Sequence, residues 1–525
     1  VRREDEGIPA AARRRDHLIK SPGAVFTPER WAEWLIRRFG VVDAWIRGSS
    51  VLDPTCGNGQ FLVSIIAAAL ESGIPRRKLP LERLFGIEKE KLLLDELRCR
   101  LTMKFGIEMP ARNLIARDIL AESPAPRTNI LVGNPPWMNF SDLPDDYKRR
   151  IKPLFIKYGL VGDARSLLLG HARADLAALI IAKTIHSNLA VNGEAYFFVP
   201  LSLFLNEGAH SGFRQFNALD VRFSVGELID LDGTGAFPGI ATRYGAARFR
   251  RDVLQHYPIP CIRYESGRWR RSWAAPVRED HGALSILKTR KAFKSLKNLR
   301  LTLPSGAKPR QGVNTCGSNS VMIFTDVKRI RSGLVTARSK EFGSVTLPSR
   351  FLYPLLHTRV FDHPRRAPEE FVLLPYNESS GKPLDLPEIT NYPELWEYLK
   401  HASPALRARR GALIGTWIRR GYWWASLGVG PYSFAPFKVA WMAYGKKSFR
   451  PTLFRSSLGK PWQGNQALHA YVPCRTKAEA DSALKALSRP EVAAYLESFK
   501  MSGTRSWAQP GRIARICEYK DDGRI

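Results

Sequence analysis

Cysteine is scarce in this chain: six in 525 residues, at Cys56, Cys99, Cys261, Cys316, Cys474 and Cys517, with no CxxC pair among them. That spacing excludes a zinc ribbon and a disulfide framework and fits reduced thiols. Long apolar runs are also missing. The best, Val63 to Leu70, is far shorter than a membrane span requires. Val1 to Lys20 is charged and carries no apolar signal segment. There is no internal repeat and no low-complexity tract. Together these absences predict a soluble, cytosolic, folded protein. Acidic residues are in short supply too: 49 Asp and Glu stand against 81 Lys and Arg, a formal charge of +32. A surplus that large calls for a polyanionic partner, either nucleic acid or an anionic membrane.

What is present is enough apolar sequence, 44% of the chain, to build two or three cores. The charge is unevenly placed. Residues 1–240 hold 32 basic and 28 acidic side chains, and residues 241–525 hold 49 and 21. The near-neutral first half suits an enzyme core, and the second suits a surface for polyphosphate. A shift of pattern near residue 255 predicts three parts: a basic tail over 1–25, an α/β domain over 26–255, and a basic domain over 256–525.

Within the first half, short apolar runs alternate with helical patterns. Strands are expected at 50–53, 84–88, 113–116, 130–132, 195–199, 227–231 and 246–249. Helices are expected from Phe61 to Leu70, Lys91 to Met103 and Leu176 to Leu189, the last capped by Asp175. This alternation predicts a mostly parallel sheet with helices on both faces, whose ligands bind at the carboxyl ends of the strands. Beyond residue 255, Tyr264 to Gly282 is polar and basic and reads as a linker. Frequent turn signals and short aromatic-rich segments then predict a mixed α+β region.

Three successive strand ends carry polar chemistry. Asp53-Pro54-Thr55-Cys56-Gly57-Asn58-Gly59-Gln60-Phe61 turns from the first strand into its helix. Gly57 and Gly59 allow close backbone approach, and the helix start offers free N–H groups. The spacing is neither a three-glycine dinucleotide fingerprint nor a phosphate loop with its Lys-Ser/Thr. Glu88 ends the second strand, where a carboxylate can accept both hydroxyls of a ribose. Asp118 follows the third and is placed to accept from an adenine amine. Any one of these alone reads as an ordinary turn or a solvated strand end. In register on neighbouring strands they describe a pocket for an adenosine moiety without phosphate.

A fourth strand leads into Asn134-Pro135-Pro136-Trp137. The prolines fix the backbone and remove two donors. The Asn134 side-chain oxygen and the Pro135 carbonyl become rigid acceptors able to grip an NH₂ group, and Trp137 offers a flat face for a planar ring. By itself such a loop would be a rigid turn with a core tryptophan.

With these motifs in this order, the chain resembles the gamma-class S-adenosylmethionine-dependent DNA adenine-N6 methyltransferases of bacterial modification and phage-defence systems. Phe26-Thr27-Pro28 is similar to the family's methionine-end motif, Asp53 to Phe61 to its glycine motif, and Glu88 and Asp118 to its acidic motifs. Asn134 to Trp137 matches the catalytic motif, with tryptophan where tyrosine is commoner. Leu228 to Phe237-Pro238 resembles the segment whose phenylalanine faces a flipped base, and Gly312 to Asn319 a stretch near the start of the recognition domain. The resemblance covers residues 26–240 well and the remainder loosely.

It implies a Rossmann-like catalytic domain over 26–255 with S-adenosylmethionine as cofactor. Phe26, Thr27, Pro28, Asp53, Thr55, Gly57, Gly59, Glu88, Asp118 and Asn134 would contact the cofactor, and Asn134, Pro135, Pro136 and Trp137 would do the chemistry. Trp137 and Phe237 would sandwich the flipped adenine. A target-recognition domain over 256–525 would bind double-stranded DNA, with Arg270, Arg271, Arg409, Arg410, Arg419 and Arg420 as candidate phosphate contacts. For most of these basic and aromatic clusters a hydrophobic core with basic edges is the competing reading. No metal and no built-in endonuclease are expected; a separate nuclease or helicase partner is compatible. Met138 to Arg173, with its Lys148-Arg149-Arg150 run, reads either as a segment closing over the cofactor or as a solvated charge run. Competing functions are an RNA adenine-N6 methyltransferase, a protein glutamine N5-methyltransferase, and a DNA-binding subunit with an inactive methylase fold.

Overall fold

The computed structural model describes residues 26–121, 126–161, 174–206, 210–240, 242–276, 282–304, 307–331, 333–364, 366–445, 448–466, 468–499 and 507–518. The expected basic tail over 1–25 lies outside them. The chain forms two compact units, Val1–Lys297 and Asn298–Ile525.

The first unit is built on one large sheet. Its strands are β1 Val51–Asp53, β2 Leu84–Glu88, β3 Leu114–Ala116, β4 Thr128–Gly133, β5 Leu189–Pro200, β6 Asn217–Ala218, β7 Val221–Asp230, β8 Tyr244–Arg251, β9 Ile259–Glu265, β10 Arg268–Pro276 and β11 Leu284–Leu287. The spatial order is β11-β10-β9-β7-β8-β5-β4-β1-β2-β3, with β6 paired to β7 off this path. Strands β1 to β5 are mutually parallel, and β8 runs antiparallel between β5 and β7.

Sequence explains these strands directly. β1 is buried throughout, and β5 runs buried from Ala195 to Pro200. Such continuous apolar runs suit interior strands covered on both faces. The first four helices are α1 Glu29–Arg38, α2 Val41–Ile46, α3 Gln60–Glu71 and α4 Lys91–Phe105. In α3 every residue from Phe61 to Ala69 is buried, as a helix apolar all round must be. The chain steps one way through β1, β2 and β3 and reverses to reach β4 and β5. Right-handed crossovers then put the helices of the two halves on opposite faces, and the reversal at the β1/β4 boundary opens a crevice at the strand ends.

All seven expected strands are present. The sheet also runs past residue 255. Tyr264 to Pro276 is not a linker: β9 and β10 form a hairpin, with Tyr264 opposite Trp269 and Arg263 opposite Arg270, and residues 277–281 lie outside the described residues. Its turn, Ser266-Gly267, has both φ values positive, at 50° and 78°, the mirror-image turn that matches strand twist. The run looked irregular because β10 is an exposed edge at Arg268 to Arg271, where charged side chains replace the apolar alternation. Arg248, Arg250, Arg251, Arg263, Arg268, Arg270 and Arg271 therefore sit in the first unit, on β8, β9 and β10, while residues 298–525 keep most of the surplus, with 35 basic and 17 acidic side chains.

The second unit is a mixed α+β body. A five-stranded antiparallel sheet has the order Gly343–Pro348, Leu334–Ser339, Ile323–Arg331, Glu370–Leu373, Leu352–Leu355. A four-stranded sheet has the order Arg310–Gln311, His469–Cys474, Phe437–Met442, Thr452–Arg455. Phe324, Leu373, Tyr398, Trp423 and Trp424 share one core. The aromatic stretch 417–449 is largely interior: Trp424 Nε1 donates to the Leu384 carbonyl at 3.1 Å and Trp441 Nε1 to that of Ala508 at 2.8 Å.

Candidate active site

A cavity of about 490 Å³ lies at the carboxyl ends of β1, β2, β3 and β4. That is within the size range of small-molecule sites, roughly 300–1,000 Å³.

Asp53 ends β1 and is 1% exposed. Its Oδ1 accepts the Thr55 N–H at 3.1 Å, bending the chain into the turn. Burial, with the neighbouring Glu88 charge adding to it, raises its carboxyl to about 8. Gly57 lines the cavity in a left-handed conformation, φ 55°, and a Cβ there would meet nothing within 4 Å. Gly59 has a different role. At φ 79° it starts α3, and a Cβ there would fall 2.1 Å from Leu97 Cδ1 on α4. It sets helix packing and does not line the cavity.

Glu88, at the end of β2, takes the Gly57 N–H on Oε2 and the Glu90 N–H on Oε1, each at 3.0 Å. Burial raises its pKa, and those N–H groups work against the rise. Asp118 follows β3. Its Oδ1 accepts the Leu120 N–H at 2.9 Å. The loop carrying it is tied from below by Lys183, whose Nζ donates to the carbonyls of Ile119 at 2.6 Å and Ala121 at 3.1 Å. Lys183 sits on helix Leu176–Ser187, which Asp175 caps as expected by accepting the Ala177 N–H at 2.8 Å.

Asn134 follows β4 and lines the cavity with Pro136. Its Nδ2 donates to Thr27 Oγ1 at 3.2 Å, joining the tetrapeptide to the segment ahead of α1. Phe26 and Thr27 line the cavity, while Pro28 starts α1, its carbonyl accepting the Trp31 N–H at 2.9 Å. Pro135 is buried behind Asn134. The chain beyond the tetrapeptide is fixed to the capped helix: Leu176 N–H donates to the Met138 carbonyl at 2.8 Å and Phe140 N–H to that of Ala174 at 2.7 Å.

Two expectations need correction. Trp137 and Phe237 do not frame an open slot. They pack edge to face with centroids 5.0 Å apart, and Trp137 stacks on Tyr244 at 6.0 Å and 22°. No third ring fits between them at that distance. Both are buried, at 9% and 3% exposure, because large apolar rings at two neighbouring loops cover one another and Phe198. Arg409 is not a phosphate contact. It is buried, and its guanidinium donates to the carbonyls of Leu406, Thr315, Ala425 and Trp423, cross-linking backbone that helices and strands leave unpaired. Arg270, Arg271, Arg410, Arg419 and Arg420 are exposed.

The sequence reading missed Tyr147 as part of the cavity wall. It precedes the charge run Lys148 to Arg150, and its spacing to Arg150 is one helical turn, a signal that the charges masked.

An acidic crevice at the switch point of the parallel strands β1 to β5, with no lysine-bearing phosphate loop, suits a nucleoside with a carboxylate-bearing arm. Thr55 Oγ1 is buried there without a partner among the described residues, a polar atom for a ligand to satisfy. Such a crevice fits S-adenosylmethionine. Residues 15–154 match the N-6 DNA methylase family, so the first unit carries an adenine-N6 DNA methyltransferase module whose methyl donor is S-adenosylmethionine.

Among solved structures, the type IIL restriction-modification enzyme MmeI, in complex with DNA, shares the fold over 95% of this chain and 69% of its own, with a TM-score of 0.52 and 14% identity. A class I S-adenosylmethionine-dependent methyltransferase of Listeria monocytogenes aligns over 50% of this chain and 68% of its own, at 16% identity and a TM-score of 0.33. A type I modification subunit of Vibrio vulnificus aligns over 49% and 50%, at 18% identity and a TM-score of 0.34. No curated protein matches the chain. Among the described residues, no helix is long and apolar enough to cross a membrane, and no cluster of three or more His, Cys, Asp or Glu could hold a metal ion.

Proposed function

We propose that this chain methylates the N6 amine of a chosen adenine in duplex DNA, with the first unit performing the chemistry and the second contributing sequence recognition. The observation that carries this is the convergence of Asp53, Glu88, Asp118 and Asn134 from four neighbouring strand ends on one cavity.

Bound S-adenosylmethionine supplies an electrophilic methyl group. The protein's part is holding and aiming. Glu88 would accept from ribose hydroxyls and Asp118 from the adenine amine of the cofactor. Phe26 and Thr27 would border the methionine end, and the Gly57 backbone would allow close approach. Thr27 fixes the Asn134 amide through Nδ2, so Oδ1 is the end that receives a target N–H. The amine of adenine is a weak nucleophile because its lone pair is delocalised into the ring. Hydrogen bonds from its two N–H groups to Asn134 Oδ1 and the Pro135 carbonyl favour a tetrahedral nitrogen and return the lone pair to it. Pro135 and Pro136 keep these acceptors rigid.

The amine is out of reach inside a duplex, so the base swings out, at a cost of a few kcal/mol in stacking. Trp137 offers its face once the Phe237 edge moves aside. The exposed Arg270, Arg271, Arg410, Arg419 and Arg420 are phosphate contacts. The protein works in the cytoplasm beside the nucleoid, with separate nuclease or helicase subunits as compatible partners.

Asn134→Ala tests the chemistry. Transfer of label from S-adenosylmethionine to DNA should fall by about 100-fold or more, the usual effect of losing one aimed polar group, with circular dichroism unchanged. A folded variant that retains half the activity overturns the mechanism.

A further inference from the structure

Helix α5, Asp145–Lys157, follows the Asn134–Trp137 loop after a short connection and comes back over the cavity. Its inner side is anchored by Ile151 and Phe155, both buried, with Phe155 edge to face against Phe140 at 5.5 Å. Its first turns bring two side chains to Asp118. The Tyr147 O–H donates to Asp118 Oδ2 at 3.2 Å, and Arg150 Nη2 donates to the same oxygen. The Arg150 guanidinium also lies over the Tyr147 ring, 4.7 Å from its centroid, with Lys89 Nζ at 6.0 Å.

Counting acceptors gives this arrangement a consequence. An ionised carboxylate has about four lone-pair positions. On Asp118, Leu120 N–H takes one on Oδ1, and Tyr147 and Arg150 take both on Oδ2. One position remains, on Oδ1, and it can only accept. A purine carrying a 6-amino group satisfies it. A purine carrying a 6-oxo group sets oxygen against oxygen, and the Tyr147 hydroxyl and Arg150 Nη2 already donate to Oδ2. Arg150 is 62% exposed, so as a bare surface ion pair it would contribute little. Its leverage comes from orienting Asp118 and from backing the Tyr147 ring that forms the wall.

We propose that Tyr147 and Arg150 are positioning residues that clasp Asp118, holding α5 over the nucleobase end of the cofactor and selecting a 6-amino purine. The proposal rests on the reading of this cavity as the S-adenosylmethionine site.

The test uses the full chain and two probes, S-adenosylhomocysteine and its 6-oxo analogue S-inosylhomocysteine, in titration and stopped-flow dissociation without DNA. Arg150→Ala and Tyr147→Phe should each release S-adenosylhomocysteine about tenfold faster, the scale of one charge-assisted or well-aligned hydrogen bond. KM for S-adenosylmethionine should rise by a similar factor with kcat within about twofold, the pattern of lost uniform binding. The preference for the 6-amino over the 6-oxo probe should narrow at least threefold. Arg150→Lys, which keeps a charge and one donor, should recover part of each effect. Folded variants that match a cofactor-binding wild type in off-rate and base preference overturn the clasp alone. A wild type that binds neither S-adenosylhomocysteine nor S-adenosylmethionine overturns the cofactor reading and the clasp with it.

Discussion

Replacing Asp53 by asparagine isolates the electrostatics of the turn that follows β1. The residue is fully buried, its carboxyl sits at about 8, and its Oδ1 holds the Thr55 N–H at 3.1 Å. Asparagine keeps the shape and the acceptor but cannot ionise. In the unfolded chain an aspartate titrates near 3.9, so between about pH 4 and 8 the folded protein binds a proton that the unfolded chain has released. The raised pKa thus contributes stability that is complete below about pH 4 and is lost as pH rises through about 8. A gap of about four pKa units amounts to on the order of 5 kcal/mol in total, lost at about 1.4 kcal/mol per pH unit in the middle of the window. Other raised groups, Asp175 at about 7 among them, are common to both proteins and cancel in the difference. Urea unfolding of wild type and Asp53→Asn at half-unit steps from pH 5 to 8 reads this directly. The stability of the wild type relative to the variant should fall by about 1.4 kcal/mol per pH unit. A difference that stays flat across that range refutes a buried, protonated Asp53.

Gly59→Ala should destabilise the first unit by about 3 kcal/mol or more, because a left-handed backbone and an overlap with Leu97 act together; a thermal-shift comparison with and without S-adenosylhomocysteine shows both the lost stability and the lost binding. Arg409→Ala should cost the second unit about 3 kcal/mol or more by stranding buried carbonyls, and denaturant unfolding should detect this even where DNA affinity is measured at equal folded fraction and found unchanged. Arg410→Ala, Arg419→Ala and Arg420→Ala should leave stability within about 0.5 kcal/mol. Each should weaken DNA binding evenly across sequences and reduce the logarithmic salt slope by about 0.9; filter binding from 50 to 200 mM salt distinguishes them from Arg409.

The catalytic sheet was legible because its strands are interior. Leu84–Glu88 and Ala195–Val199 must be apolar along their length, and Asp53, Glu88 and Asp118 stand out as the polar residues that end such runs. Asp175 could be read as a cap because a helix start needs an acceptor at that place. Three things were hidden for physical reasons. The β9–β10 hairpin exposes an edge, so arginines dilute its alternation. Arg409 lies beside the exposed Arg410, and one-dimensional charge cannot separate a cation bound by carbonyls from one facing solvent. Trp137 and Phe237 are far apart in sequence, and nothing local announces that their rings meet edge to face.

The most direct measurement of the central claim is N6-methyladenine mapped across the genome of a methylation-free bacterial host expressing this chain, beside the same host expressing Asn134→Ala. The account predicts N6-methyladenine confined to one short sequence motif with the wild type and none with the variant. An unmodified genome alongside folded wild-type protein supplied with any partner subunits, or equal methylation by the variant, contradicts it.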